Sequence, residues 1–350
     1  MAEYITLNIS KNTKAPSHKA KRCCVAALGN FDGVHLGHQE VIRSCIYKAK
    51  AMGLQSAVIT FEPHPSRFVG IPRKSIMSYK QKLEELAKTG IDLIYTLDFN
   101  DHMMYMQPPE FIHYLMNHLE VRAIITGYNF RFGHKRSGDI STLQSASEKF
   151  GYQYRAIGPI HCEYHTLSSS YIKAMLEVGA VGIASRLLGR PYSIDGEVVQ
   201  GSELAKKHLG VPTANIALQD DICYPANGVY LVKAQIIEIG EKIDAREDGE
   251  ERKIYGIANI GNRPTVTSSC DLIMETHLFL DNYSGYNSKT QNIADQVETD
   301  QFKKSLYGKT LKIWPIQFIR PERKFTSIDA LRHQIETDIM SSRYIIKQVV

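Results

Sequence analysis

No uninterrupted apolar stretch approaches the roughly 18 residues that a membrane-spanning helix needs; the longest, residues 23–28 and 178–184, fall well short. A membrane span is therefore not expected. Cysteine is scarce: 6 in 350 residues, without paired metal-ligand spacing or a regular framework, which disfavours a disulfide-stapled fold and a cysteine-built zinc site. Cys23 and Cys24 stand together in an apolar run and read as reduced packing residues. A charge excess of one sign is missing as well, since 42 Lys and Arg against 37 Asp and Glu leave +5 spread along the chain. That diffuse balance suits anionic substrates and gives nucleic acid no dense basic stripe to bind. Near the start, Lys11, Lys14, Lys19, Lys21 and Arg22 are not followed by an apolar core with a small-residue cleavage site. No secretory signal is expected, and a cytoplasmic location is.

What is present is ordinary globular material: 43% hydrophobic and 23% charged residues, over a length that suggests two domains. The first half alternates strand-like runs (23–28, 57–61, 91–97, 121–127) with helical ones starting near Gly37 and Ser78 and at Pro108 and Pro109. Such alternation implies a parallel sheet covered by helices. Val41, Ile42, Cys45, Ile46 and Ala49 fall on one helical face, and the helix after Ser78 stops at Gly90. After about residue 190 the texture changes to β-type runs at 192–199, 228–237, 253–260, 272–280 and 311–319, which predict an antiparallel sheet or closed barrel. Residues 238–252 and 281–301 are polar and read as exposed insertions. Ile328, Leu331, Ile335 and Ile339 predict a closing helix over 327–340.

The most informative stretch is LGNFDGVHLGHQ, residues 28–39, which leaves an apolar strand, passes Gly29 and Gly33 and enters a helix at Gly37. Glycines permit close backbone approach, and the free amides and dipole of a helix start favour phosphate. His35 and His38 add two donors that can stabilise charge on a phosphate under attack. A lone histidine at such a turn would merely satisfy local hydrogen bonds; here the whole stretch acts together. The spacing is neither that of a P-loop nor that of the dinucleotide fingerprint.

His-x-Gly-His at this place resembles the nucleotidyltransferase superfamily. Three further stretches, ITFEPHP at 59–65, TGYNFRFGHKRSGD at 126–139 and SSSYIK at 168–173, resemble the FAD synthetase module of the bacterial bifunctional riboflavin kinase and FMN adenylyltransferase family. The resemblance implies that His35 and His38 contact ATP phosphates and the transition state. It implies a phosphate-binding set of Gly29, Asn30, Phe31, Gly33, Gly37 and Asn129, with Ser169, Ser170 and Lys173 holding the outgoing pyrophosphate, and flavin contacts from Phe61, Pro63, His64 and Pro65. Ser170 stands where the family usually has threonine, and Lys173 where it usually has arginine.

In the second half, LGRPY, GVPTAN, YGIANIGNRPT and ETH follow in the order of the family's riboflavin kinase module. Phosphoryl transfer to a hydroxyl needs magnesium on oxygen ligands and a carboxylate to receive the proton. Thr213 and Asn215 offer the neutral oxygens and Glu275 the base. Arg320, Glu322 and Phe325 match a segment near the family's flavin pocket. Before GVPTAN, where glycines are common in the family, residues 201–210 carry Glu203 and Ala205.

The expected architecture is a Rossmann-like α/β nucleotidyltransferase domain over 1–186, then a β-barrel riboflavin kinase domain with a C-terminal helix over 187–350. The expected activity is phosphorylation of riboflavin to FMN and adenylylation of FMN to FAD. Magnesium is the expected cofactor and ATP the co-substrate, with flavin as substrate and product. The partners expected are these small molecules, with neither nucleic acid nor membrane among them. Two other readings stand beside it: a FAD synthetase whose kinase module only holds flavin, and a nucleic-acid-binding regulator that responds to flavin.

Overall fold

A computed structural model of the chain describes residues 2–8, 23–68, 70, 73–162, 165–199, 214–237, 254–262, 272–279 and 305–349. They fall into two compact units: Met1–Ile172 with Leu187–Gly189, and Lys173–Arg186 with Arg190–Val350. The division expected at 186/187 differs from this one in two segments: Lys173–Arg186 clusters with the second unit and Leu187–Gly189 with the first.

In the first unit the order is β1 (Glu3–Asn8), β2 (Cys24–Leu28), α1 (Leu36–Met52), β3 (Gln55–Glu62), α2 (Tyr79–Lys88), β4 (Leu93–Asp98), α3 (Asp101–Tyr105), α4 (Pro108–His118), β5 (Val121–Gly127), α5 (Ile140–Phe150) and β6 (Gln153–Ile157). The hairpin β7 (His161–Cys162) and β8 (His165–Thr166) follows, and then α6 (Ser169–Glu177), whose residues from Lys173 onward belong to the second unit. The six strands β1 to β6 form one parallel sheet in the order β1-β4-β3-β2-β5-β6. Every residue of β2 is buried, and its alternation feeds two cores. Cys24, Ala26 and Leu28 pack with Phe111, Leu115 and Leu143 of α4 and α5. Val25 and Ala27 pack with Val41, Ile42, Cys45 and Leu86 of α1 and α2. Burying each large aliphatic side chain in these layers contributes about 1.5–3 kcal/mol. The expected face of α1 is the one that packs. Ser78 and Gln81 open α2 with a reciprocal capping box, and Gly90 follows its end at φ +82°. Since the chain leaves β2 in one direction and β5 in the other, the crevice at their carboxyl ends is where such sheets take ligands.

The second unit continues with α7 (Val181–Leu188), whose Leu187 and Leu188 belong to the first unit, then β9 (Ile194–Val199), β10 (Ala214–Ala217), β11 (Gly228–Ile237), β12 (Ile254–Asn262), β13 (Leu272–Leu278), β14 (Thr310–Arg320) and α8 (Ile328–Val349). Its six strands close into an antiparallel barrel in the order β10-β13-β12-β11-β14-β9. Val198, Ile216, Met274 and Ile260 pair in one register across four strands and are all buried. The five expected β-runs all lie on barrel strands. The sixth strand, β10, begins on the last two residues of GVPTAN and places Asn215 on a ladder rather than in a turn. The closing helix runs past the expected Met340 to Val349, and Ile328, at its start, is 47% exposed. The loop 201–210, Thr213 and the insertions 238–252 and 281–301 lie outside the described residues.

Candidate active sites

In the first unit the turn from β2 into α1 holds an unusual backbone. Phe31 and Val34 adopt φ of +53° and +41°, and Gly33 +84°. Left-handed geometry costs a non-glycine residue of order 1 kcal/mol or more and persists only where surroundings over-determine it. Here they do. Buried Asp32 accepts the Ile76 amide at 2.8 Å, Ser169 donates its hydroxyl to the Asp32 carbonyl at 2.9 Å, and Thr60 donates to the Asn30 carbonyl at 3.1 Å. Gln39 adds amide hydrogen bonds to the carbonyls of Val34 and Leu188.

This turn delivers His35 as the N-cap of α1, with its ring nitrogen Nδ1 accepting the His38 amide at 3.3 Å. An accepting Nδ1 leaves the proton of the neutral ring on Nε2. His38 stacks on it with ring centroids 3.6 Å apart, and Phe31 meets His38 edge-on at 5.3 Å. A Cβ at Gly37 would come within 3.1 Å of the His35 ring, so the glycine makes room for the stack. No acidic residue occupies the first turn of α1.

The ITFEPHP segment closes the same site. His64 accepts the Ser66 amide on Nδ1 at 3.1 Å and sets Nε2 2.7 Å from the Asn30 carboxamide. The Asn30 nitrogen Nδ2 is the atom that faces Nε2, and the Ser66 hydroxyl lies 2.8 Å from Nδ1. The oxygen of that carboxamide, Oδ1, is buried without a hydrogen-bond partner among the described residues. Phe61 packs edge-on against Phe99 at 5.9 Å. Of the predicted residues, then, Asn30, Phe31, Gly33, His35, Gly37, His38, His64 and Ser169 come together. Asn129 sits exposed on the turn after β5, and Ser170 is exposed on the first turn of α6. The capping hydrogen bond of α6 is made by Ser168, which accepts the Tyr171 amide at 3.2 Å, leaving Ser169 for the Asp32 carbonyl. Lys173 belongs to the second unit. Asp32, Thr60 and Lys82 escaped the sequence reading. Asp32 and Thr60 lie inside the motif stretches 28–39 and 59–65, and Lys82 lies in neither.

In the barrel, Glu275 on β13 pairs directly with Asn215 on β10 and with Asn259 on β12. The register continues from Asn215 to Val199, and from Asn259 through Val229 to Arg320, so a single row crosses all six strands. Directly paired residues project from the same face, and Asn215, Glu275 and Asn259 are therefore neighbours there. Asn215 is only 5% exposed. Asn259 donates to Glu322 at 3.0 Å, and a Cβ at Gly261 would collide with the Glu322 carboxylate. Arg320 makes a two-pronged ion pair with buried Asp338 of α8 at 2.8–2.9 Å and lies 5.8 Å from the Phe325 ring. The motif residues Asn215, Glu275, Arg320 and Glu322 thus converge on one belt, and Asn259 joins them unpredicted. Among the described residues no cluster of three or more His, Cys, Asp or Glu is arranged to hold a metal.

A model of the FAD synthetase family matches residues 17–171, and a model of the riboflavin kinase family matches residues 188–346. The bifunctional riboflavin kinase/FMN adenylyltransferase of Haemophilus influenzae is 33% identical over 333 residues, covering 93% of this chain and 96% of that protein. This chain belongs to that family. The enzymes of the same name from Bacillus subtilis and Escherichia coli are 33% and 31% identical, over 90% and 91% of this chain and 90% and 92% of theirs. The adenylyltransferase unit therefore comes first and the kinase unit second. A crystal structure described as a macrolide-efflux protein from Streptococcus pneumoniae has a TM-score of 0.74 at 26% identity, over 97% of this chain and 99% of that one. Among the described residues no helix of this family member is long and apolar enough to cross a membrane.

Proposed function

We propose that the kinase unit transfers the γ-phosphoryl group of ATP to the ribityl 5′-hydroxyl of riboflavin, and that the adenylyltransferase unit joins the resulting FMN to AMP from a second ATP. One observation carries this reading: in each unit, polar side chains from separate motifs converge, on the β2–α1 turn in one and on the barrel row in the other.

In the kinase unit Glu275 receives the proton of the attacking hydroxyl as the bond to ADP breaks. Arg320, Glu322 and Phe325 border the flavin, with Arg320 acting from its fixed pairing with Asp338. The paired oxygens of Asn215 and Glu275 are hard donors of the kind magnesium accepts beside water and phosphate. Asn215 and Thr213 would hold that ion, which would supply positive charge to the phosphates.

In the adenylyltransferase unit an FMN phosphate oxygen attacks the α-phosphorus of ATP, and pyrophosphate leaves. His35 and His38, at the positive end of α1, donate to the oxygens that gain charge. Gly29, Asn30, Phe31, Gly33 and Gly37 shape the phosphate turn, and Asn129 assists from the turn after β5. Ser169 and Ser170 hold the departing pyrophosphate, a task to which the family resemblance alone also assigns Lys173. Phe61, Pro63, His64 and Pro65 border FMN.

A chromatographic time course of flavins from purified protein with riboflavin, ATP and magnesium tests both steps. FMN should appear first and FAD after it; FMN supplied directly should give FAD alone. A chain that converts FMN but leaves riboflavin untouched would refute the kinase assignment.

A further inference from the structure

Lys82 of α2 is 7% exposed, an unusual position for an ammonium group. Its Nζ donates to the Thr60 hydroxyl at 3.3 Å and to the Phe61 carbonyl at 3.1 Å, and lies 5.3 Å from the Tyr79 ring centroid. Burial pushes this ammonium below its ordinary value, and the carboxylates of Glu62 and Asp32 act against that. Everything it touches or senses, Tyr79 of its own helix aside, sits on the segments that build the adenylyl-transfer site. The Thr60 hydroxyl accepts from Lys82 and donates to the Asn30 carbonyl, while Asn30 in turn contacts His64. A leucine or methionine would fill the same space without the desolvation cost, so packing alone does not account for a cation here.

We propose that Lys82 is a positioning residue of the adenylyltransferase site: its ammonium pins the carboxyl end of β3 and, through the Thr60 hydroxyl, fixes the Asn30–His64 pair against which FMN docks. The proposal rests on the adenylyl-transfer reading above. Lys82 touches neither reacting atoms nor phosphate; it acts through Thr60 and Phe61. With it removed, the turn that follows β3 loses its anchor and FMN is held less tightly, while the histidine stack, held by contacts of its own, keeps its geometry.

The test is steady-state FAD formation by the full chain, with FMN and ATP varied separately. Lys82→Met is expected to raise KM for FMN about tenfold, the equivalent of one charge-assisted hydrogen bond, while kcat and KM for ATP move by less than about twofold. Simple destabilisation would instead lower the active fraction, and so kcat, at unchanged KM. Thr60→Val removes the relay while keeping the cation and should raise KM for FMN about threefold, which keeps the test decisive if Lys82→Met does not fold. Combined with His64→Ala, Lys82→Met should add little to the KM rise of the worse single variant, because residues in one network are not additive. A lower kcat at constant KM for FMN, an unchanged enzyme, or fully additive rises would each overturn the proposal. An unsubstituted chain that makes no FAD from FMN would bring down the adenylyl-transfer reading, and this proposal with it.

Discussion

His35 and His38 lie ring on ring at the head of α1, with their planes 17° apart. In the proposed adenylyl transfer both imidazoles donate to ATP phosphate oxygens, and each should matter to the chemical step. His35→Ala and His38→Ala are each expected to lower kcat for FAD formation by about 10²–10³, the usual effect of removing one transition-state donor. FMN formation from riboflavin should continue, as chromatography of the flavins will show. FAD formation within a factor of a few of normal would refute the role.

Glu275 has the complementary signature. Glu275→Gln keeps the shape of the belt with Asn215 and Asn259 but removes the base. FMN formation should fall by about 10²–10⁴ with FMN-to-FAD conversion unchanged. Loss of both activities would contradict separate sites.

Gly261 leaves room for the Glu322 carboxylate that holds Asn259. In Gly261→Ala that carboxylate must move, and KM for riboflavin should rise about tenfold, the cost of one displaced hydrogen bond to a charged group. Kinetics with riboflavin varied at saturating ATP provide the check, and an unaltered KM would show that Glu322 does not border the flavin.

Asp338 is nearly buried and paired with Arg320, so Asp338→Asn leaves a guanidinium without its counter-charge. Breaking such a pair costs about 3 kcal/mol. The loss should appear as a lower urea midpoint followed by fluorescence of Trp314, the single tryptophan and a residue of β14. A midpoint within error of the parent would mean that α8 is held elsewhere.

Asp139 caps α5, and hydrogen bonds from Ser141 and from the amide and hydroxyl of Thr142 hold its carboxyl down to about 2. A lowered acid value means that the ionised cap stabilises the fold above the ordinary value of 3.8 and that this contribution is lost as pH falls through about 2. The side chain is partly exposed to solvent, which keeps the effect small and salt-sensitive. Observed by NMR, the Asp139 carboxyl should titrate well below exposed aspartates; a midpoint near 3.8 would refute the cap.

Much of this was legible in the sequence, because alternation and motif position are local. The buried run at β2, the face of α1 and the glycine-bounded turn between them follow from period and residue type alone. Strand β1 was not legible: Glu3–Asn8 mixes charge, polarity and half-exposed apolar residues, as an edge strand does. Asn215 read equally well as a turn residue, and its pairing with Glu275 on one side and Val199 on the other places it on a strand. Lys82 was invisible for another reason. On a helix reading KQKLEEL a lysine looks like solvated surface, and its burial depends on β3 arriving from 20 residues earlier in the chain. The contacts Arg320–Asp338 and Asn259–Glu322 are likewise products of tertiary closure that no window of sequence contains.

Closure of the barrel has one more consequence. A ladder joined end to end offers no loose margin from which to fray, so no strand can leave without breaking hydrogen bonds on two sides. The belt of Asn215, Glu275, Asn259 and Arg320 runs around that ring, and its members assemble or scatter as a set. A partly opened kinase unit would then retain no fraction of its pocket, and proteolysis or permutation is tolerated only where the cut falls between strands.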